Sequence, residues 1–285
     1  EYRLIRDYQN GEIIFDRRYG STNTFEKNNY PVGYNLGQSG NTPSQNLVDA
    51  YEMIDGTPFD WNNPEHKSNP YANRDPRLAM SILTNNVEFK DRTIEAWTGG
   101  RDGKGVIHAT RTGYYIYKFI DPNLDLLQNR TSVHHWVIMR YAEILLSYAE
   151  AMNEAYGPTG NVGYRLNAVR ALNQVRNRVG VEMPAVPTAI SKEELREKIR
   201  NERRVELAFE DHRFWDVRRW MIAEQEGVMS GAMYGIKIYW INSSPQEFRY
   251  TPYLYENRTF TKKMYLHPFS TNEVNKGYLI QNPGY

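Results

Sequence analysis

SKEELREKIRNERRVELAFEDHRFWDVRRW, residues 191–220, is the stretch from which the fold can be read. It opens on a capping box: Ser191 can accept from the backbone N–H of Glu194, and the Glu194 carboxylate can reach back to Ser191. Leu195, Ile199, Val205, Ala208 and Phe209 then recur at helical spacing. Glu202 and Glu206 lie one turn apart, on or beside that apolar stripe. A carboxylate there must be paired, because leaving it bare in an apolar setting is strongly unfavourable. Two readings compete: a lattice of structural ion pairs between helices, or a carboxylate pair for acid–base catalysis. Each acid has an arginine within helical reach, which holds it ionised and away from the proton-transfer range. The expectation is therefore a structural network of Glu202, Arg203, Glu206, Glu210, Arg213, Asp216 and Arg218.

Working outward, residues 136–155 also follow a 3.6-residue period, with Val137, Tyr141, Ile144, Leu145, Tyr148 and Met152 recurring and Ala142, Ala149 and Ala151 permitting close helix approach. Gly157-Pro158 ends that helix. Further helices are expected at about 164–179, 192–210 and 213–224. Trp136, Trp215 and Trp220 fall in these helices and are expected in the core. Residues 20–76 are rich in turn chemistry, with one helix at about 44–54. The run LAMSILT at 78–84, TGYYIYKF at 112–119, IKIYWI at 236–241 and TFTKKMYLHPF at 259–269 read as short strands or extended arms, as does Ile13 to Phe15. GGRDGKG at 99–105 lacks the strand-to-helix setting and ending of a phosphate loop, and reads as a flexible loop.

The segment IRNERRVELAFEDHRFWDVRRW closely resembles the signature near the C-terminus of the SusD/RagB family, outer-membrane glycan-binding lipoproteins of Bacteroidetes. GEIIFDRRYG (11–20), YANRDPRLAMSIL (71–83), RYAEILLSYAEAMNEA (140–155) and LHPFSTNEVNKGYLIQNPGY (266–285) agree in the family's order, so the resemblance covers the whole chain. It implies a mainly α fold of tetratricopeptide-like helical repeats with long irregular loops and a few short strands. One domain is expected, with a loop-rich ligand side (1–135), helical repeat pairs (136–224), then extended arms and a tail (225–285). Two helix pairs are fewer than the about three repeats a stable stack needs, so the remainder is expected from a preceding N-terminal portion that would also carry a signal peptide and lipid anchor. The implied location is the extracellular face of the outer membrane. The implied partner is a SusC-like TonB-dependent transporter.

Composition agrees with binding rather than with several other classes. The 285 residues carry 35 basic and 34 acidic side chains with no long block of one sign, unlike a nucleic-acid-binding chain. Cysteine is absent, which excludes disulfides, thiol catalysis and thiolate metal sites. No metal-ligand spacing occurs and no cofactor is expected; His134 and His135 are adjacent and point apart. No apolar run reaches the ~20 residues of a membrane helix.

There are 22 tyrosines and six tryptophans. Flat rings suit the C–H faces of sugars, while Asn, Asp, Gln and Arg satisfy hydroxyls. The candidate ligand contacts are Trp61 with Asn62, Asn63 and Tyr71, then Trp97 beside Arg101 and Asp102, and Tyr34 near Tyr30 and Asn35. The expected function is non-catalytic capture of oligosaccharide. Capture of peptide or glycopeptide by the same architecture is an alternative. A glycoside hydrolase is another: it needs two carboxylates about 5–10 Å apart, for which Asp55, Asp60 and Glu65 are the candidates outside the arginine lattice.

Overall fold

The computed structural model describes residues 11–285. In chain order the elements are β1 (Ile13–Arg18), α1 (Thr24–Asn29), α2 (Gln45–Val48), α3 (Pro64–Ser68), α4 (Pro76–Ser81), β2 (Ile82–Leu83), β3 (Glu88–Phe89), β4 (Arg92–Thr93), β5 (Tyr115–Ile116) and β6 (His135–Arg140). There follow α5 (Tyr141–Tyr156), α6 (Ala168–Arg176), α7 (Lys192–Glu206), α8 (His212–Arg219), β7 (Gly231–Ser243), β8 (Gln246–Arg258), a 3-10 turn (Lys262–Tyr265) and α9 (Thr271–Val274).

The capping box predicted at Ser191 and Glu194 is present and starts α7. Its Leu195 and Ile199 pack with Leu145, Leu146 and Ala149 of α5 and Ala168, Ala171, Leu172 and Val175 of α6. Alanines on the facing surfaces let the helices approach closely, and burial of these side chains at roughly 25 cal/mol per Å² supplies the main favourable term. α6 is shorter than expected, because Asn167 caps it by accepting from Arg170 N.

The expected helix from Trp136 begins instead at Tyr141. Residues 135–140 are a strand, antiparallel to β1, with Phe15 opposite Met139 and Asp16 opposite Val137. Arg140 is extended, at φ −142° and ψ 163°, and ends that strand. An apolar run such as WVIM satisfies either periodicity, and the backbone bonds to β1 decide it. The buried face of α5 is Ala142, Leu145, Leu146, Ala149 and Met152, so Tyr141 and Ile144 face outward. Trp136 is half-buried on a strand. Trp215, expected in the core, is 62% exposed on α8. Trp220 is half-buried just past the end of α8.

Residues 78–81 are helical, not the strand expected of LAMSILT. Asp75 accepts from Arg77 N and Pro76 takes the first helical position, a strong start signal. Only Ile82 and Leu83 remain extended, paired with Ile116 and Tyr115. The helix expected at 44–54 closes after Val48, with Ser44 as its cap. A second core gathers here from Tyr30, Tyr51, Ile82, Leu83, Ile94, Tyr114 and Tyr115. The glycine-rich loop folds back on itself: Asp102 is buried inside it, and a Cβ on Gly103 would collide with the carbonyl of Trp97. The expected short strand at 236–241 belongs to a 13-residue arm, β7, paired with an equally long β8. Residues 259–269 form no strand; the 3-10 turn lies there. Among the described residues no helix is long and apolar enough to cross a membrane.

Candidate functional site

The frame of the site is the ion network. Glu202 lies 2.5 Å from Arg77 and 2.8 Å from Arg176. Glu206 meets Arg77 at 2.9 Å, Arg140 at 2.8 Å and Arg178 at 2.6 Å. Glu210 meets Arg140 at 2.7 Å and Lys118 at 2.5 Å. Arg203 grips Asp216 through two bonds, at 2.9 and 3.0 Å. Burial pushes the Glu206 carboxyl up, but Arg140, Arg178 and Arg77 outweigh it and hold the group well below the carboxylate range. The same contest, with Arg140 and Lys118, lowers Glu210. Burial pulls the Lys118 ammonium down to about 8. Glu206 and Glu210, shifted down and closed to solvent, stay ionised at neutral pH, so they brace and do not shuttle protons.

Two members of the expected network are corrected. Among the described residues Arg218 has no acid partner; it donates to the carbonyls of Met264 and Tyr265 and lies over the rings of Phe214 and Phe260. Arg213 makes no ion pair among the described residues. The principal partners also differ: Arg77, Arg140 and Arg176 come from three other segments, not from the helix's own turns.

Beside this frame runs a band of rings along the β7–β8 ribbon. Tyr71 lies edge-on to Tyr250, with ring centres 5.3 Å apart. Phe248 is 6.3 Å beyond Tyr250, Trp97 is 5.4 Å from Phe248, and Trp240 is edge-on to Trp97 at 4.8 Å. Trp240 stands opposite Phe248 near the turn of the ribbon and is 43% exposed. At the other end, Tyr71 and Tyr250 wall a cavity of about 400 Å³ whose polar lining includes Asn69, Thr84, Asn85 and Asn86. Asn85 is 4% exposed; its Oδ1 accepts from Ala96 N, and its side chain also bonds the Tyr250 hydroxyl. An apolar ring wall beside amide donors and acceptors is the combination that sugar rings require.

The structure thus brings Tyr71 and Trp97 into one band and adds Trp240, Phe248 and Tyr250, which sequence reasoning missed. Their signal was present as aromatic alternation across paired strands, but β8 was not recognised as a strand. Trp61 is placed differently: its indole N–H donates to both oxygens of Asp49, at 3.2 and 3.3 Å, and its ring packs on the core. Asn62 turns back on Asp60, and Asn63 caps α3 through Glu65 N. Tyr34 is corrected: it is buried, its hydroxyl donates to Phe89 O, and the Arg92 guanidinium covers its ring at 3.9 Å. Asp102 is paired with Arg92 at 2.6 Å and is not offered to a ligand. Of the hydrolase candidates, Asp55 is held below the usual range by bonds from Thr57 Oγ1 and N, and Asp60 accepts from Asn62. Among the described residues no three His, Asp or Glu side chains are grouped to hold a metal ion.

A family model described as the SusD family matches residues 11–285. SusD-like protein P2 of Formosa agariphila is 35% identical over 111 residues, 37% of this chain and 20% of that protein. A SusD-like protein of Bacteroides fragilis superposes with a TM-score of 0.79 at 31% identity, over 100% of this chain and 57% of its own. A SusD-like carbohydrate binding protein of the same species gives a TM-score of 0.76 at 28% identity, over 93% of this chain and 53% of its own. The chain therefore spans about half the length of these solved relatives.

Proposed function

The chain belongs to the SusD family, and on that premise we propose that it captures an oligosaccharide at the cell surface without transforming it. The observation that carries this reading is the ring band from Tyr71 to Trp240, exposed at the Trp240 end and lined by amides at the other. The Trp240 ring covers a sugar's C–H face, and the amides of Asn69 and Asn86 meet hydroxyls. Binding is modest in affinity, because an open site buries little area and must still order its ligand. The ligand then passes to a SusC-like TonB-dependent transporter in the outer membrane, with this protein held on the extracellular face by a lipid anchor. Support for a non-catalytic role comes from the acids: those of the lattice are locked by guanidinium groups, and Asp55 and Asp60 are engaged by their own loops.

The test is calorimetric titration with a panel of neutral oligosaccharides, with product analysis of the same mixtures. The expected result is saturable binding of at least one glycan with no products. Turnover that disappears in Asp60→Asn or Glu65→Gln would replace this reading with the hydrolase. Absence of binding to every glycan, with binding to peptides instead, would replace the ligand class.

A further inference from the structure

The two faces of the β7–β8 ribbon differ in chemistry. Side chains alternate across a strand, so Phe248 and Tyr250 of the ring band lie on one face and Arg249, Thr251 and Tyr253 on the other. On this second face cations lie over rings. Arg249 covers Tyr239, its partner across the ribbon, at 5.1 Å. Lys237, diagonal to Tyr253, holds its ammonium over that ring at 4.9 Å. Lys104 reaches the same ring from the glycine-rich loop, at 5.3 Å. The Tyr253 hydroxyl donates to the carbonyl of Arg111, which ties the ribbon to a third segment. Lys104, Arg111, Tyr253 and Tyr255 line one cavity of about 330 Å³.

The cations of this cavity are not spent on acids. Among the described residues the side chains of Lys104, Lys237 and Arg111 make no hydrogen bond and no ion pair. Glu256 is within electrostatic reach of Arg111, but it already accepts from Arg258 on both oxygens, at 3.1 and 3.4 Å. Asp102, two residues before Lys104, is paired with Arg92 at 2.6 Å. A cation resting over an exposed ring is held weakly compared with one hydrogen-bonded to an opposite charge. The donors of both lysines and of Arg111 therefore remain to be given.

We propose that this cavity, with Lys237 at its ring wall, binds an oxyanion: a sulfate, phosphate or carboxylate group. The Arg111 fork matches such a group with paired N–H donors, and the Lys104 ammonium adds a charge-assisted bond. The oxyanion is either a free ion or a substituent on an acidic glycan, whose sugar ring would lie against Tyr253 and Tyr255. The site is on the ribbon face opposite Phe248 and Tyr250, so it stands independently of the reading of the ring band.

The experiment is calorimetric titration of the whole chain with a sulfated galacto-oligosaccharide, with its desulfated form and with sodium sulfate. Wild type and the exposed control Arg170→Gln are expected to bind a sulfate-bearing probe, with affinity that falls as sodium chloride is raised. In the double variant Lys104→Gln/Arg111→Gln and in Lys237→Gln the Kd for that probe is expected to rise at least tenfold, with no change in any binding of the desulfated sugar. Circular dichroism checks that the variants fold; either one that folds suffices. Tighter binding of the sulfated sugar than of the desulfated one identifies a glycan as the source of the anion, whereas binding of inorganic sulfate alone identifies the free ion. Equal Kd for the two sugars with no binding of sulfate, or an undiminished sulfate response in the folded variants, would overturn the site and leave the ring band untouched.

Discussion

Arg77 and Glu206 are 129 residues apart in the chain and 2.9 Å apart in the fold, both almost fully buried. Arg77 also holds Glu202 at 2.5 Å and Asp75 at 2.6 Å. One guanidinium therefore joins the segment that carries the cavity-lining residues to the helix that organises the repeat layer. A pairing this remote in sequence forms only when both layers have packed, so it locks their relative placement.

Removing one partner of a buried pair leaves the other charged and unsolvated. Arg77→Ala is expected to destabilise the protein by about 3–5 kcal/mol. The half-exposed pair Arg196–Glu154 at the surface offers the contrast, with Arg196→Ala costing under about 1 kcal/mol. Urea unfolding midpoints of the two variants measure the difference. Equal effects would remove the lattice from its structural role.

The lattice also sets the acid response. Glu206 and Glu210 have folded-state pKa values below their unfolded ones. Groups shifted in that direction give stability that is fully present above the unfolded carboxylate range and lost as pH falls toward the folded value. For these two groups stability is expected to hold from pH 7 to about 5 and to drop below it. Urea midpoints between pH 7 and 2.5 check this, and a rise in stability below pH 4 would contradict it.

The ion lattice was half legible in sequence. Glu202 and Glu206 announced that they needed partners by standing on an apolar stripe. Their main partners could not be read, because Arg77, Arg140 and Arg176 arrive through the tertiary fold. Local chemistry misled where two periods fit one run: HWVIM reads as helix or strand until β1 pairs with it. At LAMSIL the start signal Asp75-Pro76 was in plain view and outranked the β-branched look of the run's end. The ring band was hidden because cross-strand neighbours such as Trp240 and Phe248 depend on ribbon register, which single-strand patterns do not specify. Exposure was equally illegible: α8 leaves Trp215 bare, although lying in a helix was taken to put it in the core.

Trp240 is the exposed ring of the band and the one whose loss should separate binding from folding. Trp240→Ala is expected to weaken oligosaccharide binding by about 2 kcal/mol, roughly 30-fold. It removes the edge-to-face contacts with Trp97 and Phe248, each worth about 0.5–1.5 kcal/mol of stability. Calorimetry and thermal unfolding on the same sample measure both. Unchanged affinity would take the band out of the site.

Trp61 serves as the counter-case, because its N–H is spent on Asp49. Burial raises the Asp49 carboxyl, against the bonds from Gln45 and Trp61 that favour its ionised form. Trp61→Phe keeps a ring and removes that donor, so the Asp49 pKa should climb further. A group raised in the folded state gives its stability below the unfolded pKa and loses it as pH rises through the folded one. The variant is therefore expected to lose about 1–2 kcal/mol near pH 7 and less near pH 4, where Asp49 is closer to protonated. Its oligosaccharide affinity should change far less than in Trp240→Ala. Urea unfolding at the two pH values and one calorimetric titration decide between anchor and platform. A large affinity loss at unchanged stability would make Trp61 a ligand-facing ring after all.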